Sequence, residues 1–533
     1  MTAGEYLIRF LIQQDVRVGF GIPGALNAHL YEAMRRMQGE FRHVLVRHEL
    51  GGAWMADGFA RARNEVGVVF TVPGPGCTHA SSAVAGAYTE CSRLLLVSAG
   101  PAAALRGELR RDLFHGLDQQ RLFAPITKWT AAVRRAEELP EVLAEAFRHL
   151  RRGRPGPVHL EIPSDLFGRE VGELAVPPFV AVDGVRPDGC AVADAAHLLK
   201  TARRPLILAG DGVLHSAAAD ALGTLAGVLR APVITTVMGK GALPEDHPWS
   251  LGDANSPAGS AAYPQHDALL AVGARFVQVD TRFRWFSPPR RLVHLDADAR
   301  ELGRVFASEV GIAADVRLGL EALTAAIARE PGDRSGWDEA FPDLKRISDA
   351  REAHWLFPAI RAGLPRDAIV VWDVSQPGFL ARREWITYEP GTHVYTGVYV
   401  AMGFGLPTAL GAKLARPERP VCVVTGDACF QMTLPELGTA VQNGIPITVL
   451  LINDGGYCQI RAHQDREFSG NRHEVDLVNP DFQALARAYG IPATRVTTGD
   501  ALTSSLQEAV RSGELSLVEL EVPQDYLPPH YGR

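Results

Sequence analysis

At 533 residues the chain is too long for one hydrophobic core, and its size argues for about three domains. With 47% hydrophobic and 22% charged residues it has the composition of an ordinary globular enzyme. Its net charge of −7, with no basic run longer than pairs such as Arg134-Arg135, speaks against nucleic acid as a partner. No apolar run is long enough to span a membrane. Met1 to Gln13 carries Glu5 and Arg9 in an amphipathic pattern, without the charged start and cleavage site of a signal peptide. Six cysteines without a CxxC pair read as reduced thiols, so a cytoplasmic protein is expected.

In chain order, helix-like and strand-like stretches alternate. Glu5–Gln14 reads as a helix, Arg17–Phe20 as a strand opening into Gly21-Ile22-Pro23-Gly24, and Ala28–Met37 as a second helix. Strands follow at Val44–Arg47, Val68–Val72 (ending in Pro73-Gly-Pro-Gly76), Leu94–Val97 and Val158–Ile162. Glu49 is read at the end of its strand, just before a helix Ala53–Arg63. Residues 170–190 read as a linker, and Glu330–Gly336 as another. Between them lie the strand-like runs Pro205–Gly210, Pro232–Val237, Ala268–Val272 and Arg291–Leu295. Alternation of this kind predicts an α/β fold of three domains, each a mainly parallel sheet flanked by helices. The boundaries are set at 1–168, 188–330 and 345–533.

The stretch Val421–Arg461 carries the chemistry. A strand ends in Thr425-Gly426-Asp427-Ala428-Cys429, a helix-like run follows over Met432–Val441, and a second strand, Ile447–Ile452, ends in Asn453-Asp454-Gly455-Gly456-Tyr457. One βαβ unit brings both carboxylates to the same rim of a parallel sheet, where ligands bind. Two hard oxygen donors flanked by glycines suit Mg²⁺ clamping a diphosphate. Taken singly, each half is ordinary turn chemistry; only the pairing is specific.

That pairing resembles the signature of thiamine-diphosphate enzymes, Gly-Asp-Gly followed about thirty residues later by a double Asn. The resemblance implies Asp427, Asp454 and the carbonyl of Gly456 as metal ligands. Ala428 replaces the third Gly, and Asp454 stands where Asn is commoner. Phe20–Gly24, Arg47-His48-Glu49, Ala56–Arg61, Pro73–Gly76 and Gly397–Gly411 also occur in the family's order across nearly the whole chain. Together they look like the branch containing acetolactate synthases, 2-oxoacid decarboxylases and benzaldehyde lyase-like enzymes.

The resemblance implies a pyrimidine-binding N-terminal domain, a central domain and a diphosphate-binding C-terminal domain. Glu49 matches the carboxylate that hydrogen-bonds the pyrimidine and favours its imino tautomer. Met402 matches the apolar residue beneath the cofactor, and Pro23, Gly24, Pro73, Gln376, Gly426, Ala428, Cys429 and Tyr457 fall on other cofactor-binding positions. The two halves of each site come from different subunits, so a homodimer or homotetramer with sites at the interface is expected. His115 stands in place of a Gln near the reacting ring and reads equally as a proton carrier or as a structural loop residue. Leu26, Asn27 and Ile460 are candidates for lining the substrate entrance, with Leu50 and Arg461 behind them. Ile460 replaces the Glu of pyruvate-decarboxylase-like enzymes.

The activity so implied is decarboxylation of a 2-oxoacid and transfer of the enamine to a second carbonyl. The alternative is a non-oxidative decarboxylase, or a lyase on larger 2-oxo or 2-hydroxyacyl substrates. FAD in the central domain is left open, since Gly210-Asp-Gly212 matches a dinucleotide fingerprint poorly. A redox protein built on that domain and a catalytically silent subunit are the readings from other classes.

Overall fold

Strands buried on every residue, such as Gly67–Thr71, Leu94–Gly100 and Val421–Gly426, must be covered on both faces, which is the condition for a parallel sheet between helical layers. The computed structural model, which describes residues 1–105, 113–172, 174–179, 182–281, 287, 289–328, 335–350 and 353–527, contains three such sheets of six strands. The first runs in the order Arg42–Leu45, Val18–Gly21, Gly67–Thr71, Leu94–Gly100, Val158–Pro163, Trp129–Ala132. The third runs His393–Tyr395, Ile369–Trp372, Val421–Gly426, Thr448–Asn453, Ser516–Glu521, Ala493–Val496. Numbered from the first strand of each domain, both orders are 2-1-3-4-6-5, so the outer domains share one topology. The central sheet, from Ser250–Asp253 through Pro205–Ala209 to Val310–Ala313, has the doubly wound order 3-2-1-4-5-6. No helix among the described residues is long and apolar enough to cross a membrane.

The element ends depart from the sequence reading in instructive places. The helix expected from Ala53 begins four residues earlier, as Glu49–Arg63, because the His48 ring accepts the Leu50 N–H and caps a first turn that contains Gly51 and Gly52. Glu49 is therefore the first residue of the helix. The run expected over Met432–Val441 is two helices, Asp427–Thr433 and Glu436–Asn443, broken where Pro435 supplies no N–H. The strand expected at Val44–Arg47 is Arg42–Leu45, in register with Val18–Gly21. The linker 170–190 ends at Asp188, whose carboxylate caps the helix Gly189–Thr201. Glu330–Arg334 lies outside the described residues.

The outer domains meet through equivalent helices. Glu49–Arg63 and Gly405–Ala415 each lie between the second and third strands of their domain, and they cross in close contact. A Cβ on Gly58 would lie 2.1 Å from the Thr408 carbonyl oxygen, and one on Gly411 would lie 1.9 Å from that of Met55. Only glycine allows the backbones this close. Trp54 packs edge-on against Phe404 at 5.6 Å, and one continuous core takes in Phe20, Val69, Leu406 and Val423 from both domains. Gly58→Ala and Gly411→Ala should each cost about 1–3 kcal/mol in urea unfolding, the usual scale for overpacking. Gly189→Ala, where a Cβ meets nothing within 4 Å, should cost nothing measurable.

Candidate active site

At the rim of the third sheet, Asp427 is held by a set of short donors. Its Oδ1 accepts the Ala428 N–H at 2.8 Å, and its Oδ2 accepts the Gly455 N–H at 2.9 Å and the Asn479 side-chain amide at 2.5 Å. Asn479 also donates to Asn453 at 2.9 Å, so one amide ties the two acidic turns together. The second turn is fixed by pairing with residues 475–477: Tyr457 donates to the Val475 carbonyl at 2.8 Å, and Leu477 to that of Gly455 at 2.9 Å. A Cβ on Gly456 would lie 2.4 Å from the Val475 oxygen. Asp454 sits on this turn at 9% exposure with its Oδ1 lacking any hydrogen-bond partner. Burial and then the neighbouring Asp427 push its carboxyl up to about 7, and burial also raises Asp427. Two buried carboxylates acting on one another, one with an unused oxygen, form a donor set that a hard divalent cation would satisfy.

Beneath this rim, Asp373 is fully buried and organises the floor. Its oxygens accept the N–H groups of Val374 (2.8 Å) and Gly403 (3.1 Å) and the Thr425 hydroxyl (3.0 Å). Burial raises its carboxyl to about 6. Gly403, at φ +82°, ends the loop that carries Met402, and Met402 is half-buried against the shared core. The Cys429 thiol points inward to the Val374 carbonyl at 2.9 Å, and burial pushes it and the Cys458 thiol upward, so neither is a thiolate nucleophile. Gln376 is buried, with its amide nitrogen 3.5 Å from the Leu527 carbonyl and its oxygen unpartnered.

In the first domain, Glu49 is 8% exposed, and its Oε2 lies 2.9 Å from Nδ1 of His79 on the next helix, Pro75–Thr89. A Cβ on Gly76 would lie 3.4 Å from the other Glu49 oxygen, so the Pro73–Gly76 turn closes over the carboxylate. His115, at φ +56°, lies on the same turn: a Cβ on Gly74 would come 3.1 Å from its Cα, and its Nδ1 has no partner. Phe114 stacks on the His115 ring at 4.0 Å. Pro23 is exposed and Leu26 half-buried at the neighbouring turn. Asn27, expected at the entrance, is instead buried at 1% exposure and spends its side chain on the Gly24 N–H and the Ile22 carbonyl, which shapes the turn. Ile460 is 50% exposed.

Two glutamates that the sequence reading passed over lock these turns across the domain boundary. Glu436 accepts the backbone N–H groups of Arg47 (3.2 Å) and His48 (3.0 Å) and the Thr439 hydroxyl (2.6 Å). A Cβ on Gly51 would lie 2.2 Å from its oxygen. Glu90 accepts the Thr396 hydroxyl (2.9 Å) and the N–H groups of Val398 (3.0 Å) and Tyr399 (3.2 Å), just before the Met402 loop. Neither residue belongs to a turn motif. Asn479, in Leu477-Val-Asn479-Pro-Asp481, carried only a generic turn signal.

The central sheet has the topology of a dinucleotide fold, and a cavity of 340 Å³ opens where its strand order reverses. Gly210 and Gly212 are used for backbone contact, since Cβ atoms there would lie 2.0 and 2.6 Å from atoms of Gly273. Asp211 places a carboxylate in the first turn of the next helix and engages Arg275 at 3.4 Å, and Arg93, Arg151, Arg152, Arg154 and Arg317 also line the cavity.

Three family models match the chain: the thiamine pyrophosphate enzyme N-terminal binding domain over residues 1–122, the central domain over 192–323, and the C-terminal binding domain over 373–520. The chain is 33% identical to a probable acetolactate synthase large subunit of Methanocaldococcus jannaschii, covering 99% of this chain and 93% of that one. It is 34% identical to a probable 2-ketoarginine decarboxylase of Pseudomonas aeruginosa, covering 98% and 94%. Against acetolactate synthase isozyme 1 large subunit of Escherichia coli the identity is 30%, covering 98% and 94%. With three α/β domains and acidic turns at the sheet rims, the chain is a thiamine pyrophosphate-dependent enzyme. Within that family it belongs to the branch of acetolactate synthases and 2-oxoacid decarboxylases.

Glu436→Ala leaves the N–H groups of Arg47 and His48 and the buried Thr439 hydroxyl without their acceptor and should cost about 1–3 kcal/mol in urea unfolding. Glu436→Gln, which keeps one acceptor oxygen, should recover more than half of that loss.

Proposed function

We propose that the chain is a Mg²⁺-dependent, acetolactate-synthase-like carboligase that works as a homodimer or homotetramer in the cytoplasm. The observation that carries the metal assignment is the unpartnered, buried Asp454 oxygen beside Asp427. Asp427, Asp454 and the Gly456 carbonyl would hold the ion, and the backbone of Gly426, Ala428 and Cys429 would face the diphosphate. Met402 would support the cofactor from below, with Tyr457 and Gln376 beside it. Pro23, Gly24, Pro73 and Glu49 of a second copy would close over the pyrimidine. Exposed apolar side chains at Met432, Ile460, Phe468 and Val478 support burial against that copy. When bound, thiamine diphosphate supplies a nucleophilic carbon that adds to a 2-oxo group and accepts the electron pair as CO₂ leaves.

The protein's own part is to orient and to exclude water. Glu49 would hold a proton at the pyrimidine nitrogen. His115, which packs against the Pro73–Gly76 turn with an unpartnered Nδ1, would carry a proton or bind the substrate carboxylate. Leu26 and Ile460 would give the entrance an apolar edge. Flavin is not part of this reading, because the glycines of the Gly210–Gly212 turn are spent on backbone contact with Gly273.

One observation favours a second reading. A cavity of 780 Å³, lined by Gln376, Cys458, Arg461, Asp465, Gln524 and Asp525 among others, is larger than pyruvate requires and offers both charged and apolar walls. It suits a decarboxylase or lyase acting on a longer 2-oxoacid with a polar tail. Incubation of the reconstituted enzyme with pyruvate should give acetolactate; acetaldehyde, or no turnover, would move the assignment to the second reading. Glu49→Gln should lower turnover by about 10²-fold or more, the usual contribution of a proton-handling group.

The metal site also predicts a pH dependence. Asp454 is raised to about 7 in the folded chain, so between the ordinary carboxylate range and pH 7 the folded state binds more protons than the unfolded one. Its contribution to stability is full at low pH and is lost as pH rises through 7. Without metal, the unfolding midpoint should therefore fall more between pH 5 and 8 than that of Asp454→Asn, and Mg²⁺ with thiamine diphosphate should restore the native protein at pH 8.

A further inference from the structure

His79 is absent from the motifs that mark this family in the chain, yet it is the side chain in direct contact with Glu49. The contact is built through successive constraints. The Leu50 N–H fixes the His48 ring through its Nδ1 at 3.1 Å. The His48 ring lies against the His79 ring, with centroids 4.4 Å apart and planes tilted by 32°. The His79 Nδ1 reaches Glu49 Oε2 at 2.9 Å. His48, Glu49 and His79 together bring three ligand-type atoms within 4.8 Å of one another. The His48 Nδ1 is engaged by the Leu50 N–H.

A lone carboxylate at a helix start can rotate about its last bond and exchange partners with water. The bond from His79 to Oε2 opposes that rotation and leaves Oε1 on the Gly76 side without a hydrogen bond from His79. We propose that His79 is a positioning residue for Glu49: its Nδ1–H holds one carboxylate oxygen so that the other is presented to the pyrimidine nitrogen of the cofactor. The proposal rests on the assignment of Glu49 made above. It requires a donor at position 79 rather than a charge, so an amide should serve where an alkyl group cannot.

The test uses the full-length enzyme reconstituted with thiamine diphosphate and Mg²⁺, comparing H79L, H79N and E49Q. Hydrogen–deuterium exchange at the cofactor C2 position, followed by acid quench and proton NMR, should slow about 10-fold in H79L, the usual effect of one hydrogen bond to a charged group. In H79N it should stay within about 3-fold of wild type, and cofactor affinity by calorimetry should change by less than about 3-fold in both, because the diphosphate half is untouched. Unchanged exchange in H79L, or equal slowing in H79L and H79N, overturns the role of His79. If E49Q exchanges as fast as wild type, the assignment of Glu49 itself fails; slow E49Q with normal H79L removes only His79. A readout free of turnover, and of any folding defect in H79L, is nitrogen NMR of the cofactor-free protein. There E49Q must shift the Nδ1 resonance that disappears in H79N, and an unmoved resonance refutes the bond.

Discussion

The arrangement of this molecule depends on two buried carboxylates exchanged between duplicated domains. Glu90 and Glu436 each follow the third strand of their own sheet, and each reaches the segment that precedes the contact helix of the other domain. A buried carboxylate is costly unless several donors satisfy it, and each of these finds backbone N–H groups that have no helical or strand partner, those of Glu90 all reaching one oxygen while its Oε2 has none. The exchange is specific as well as stabilising, because shifting either domain along the helix crossing would leave two or three buried donors and a carboxylate unpaired at once. The Glu49 turn is thus held by the C-terminal domain, and the Met402 loop by the N-terminal domain.

This reciprocity has a consequence for the site. Glu436 begins the helix that follows the Asp427–Thr433 helix, so the residue fixing the Glu49 turn and the residue of the acidic rim lie only nine residues apart in the chain. The glycine crossing at Gly58 and Gly411 brings the domains close enough for such short bonds, and the shared apolar core supplies the bulk of the association. Asp427 is satisfied by three donors, while Asp454 is left with an unused oxygen and a raised carboxyl.

The central domain has the strand order of a nucleotide fold and a cavity at the reversal, and the glycines at its turn serve backbone contact with Gly273. A GxG pattern read alone does not distinguish a glycine that admits a phosphate from one that admits a neighbouring chain.

Much of the fold was legible because it follows from local rules. Alternating apolar runs and helical stretches dictate parallel sheets, and the acidic turns at Asp427 and Asp454 lie next to the strands that position them. Short-range signals also misled: the Glu49 helix starts earlier than its periodicity indicates because a histidine ring caps it, and Asn27 turned inward to bond its own turn. Glu90, Glu436, Asn479 and His79 were illegible for one physical reason. Each acts through a partner distant in sequence, and nothing in the residues around it records that partner. The sequence by itself determined the family, the three sheets and the acidic turns that end two of their strands. Only the tertiary structure decided which oxygens are already used and which remain free, because hydrogen-bond satisfaction belongs to the packed chain and not to any segment of it.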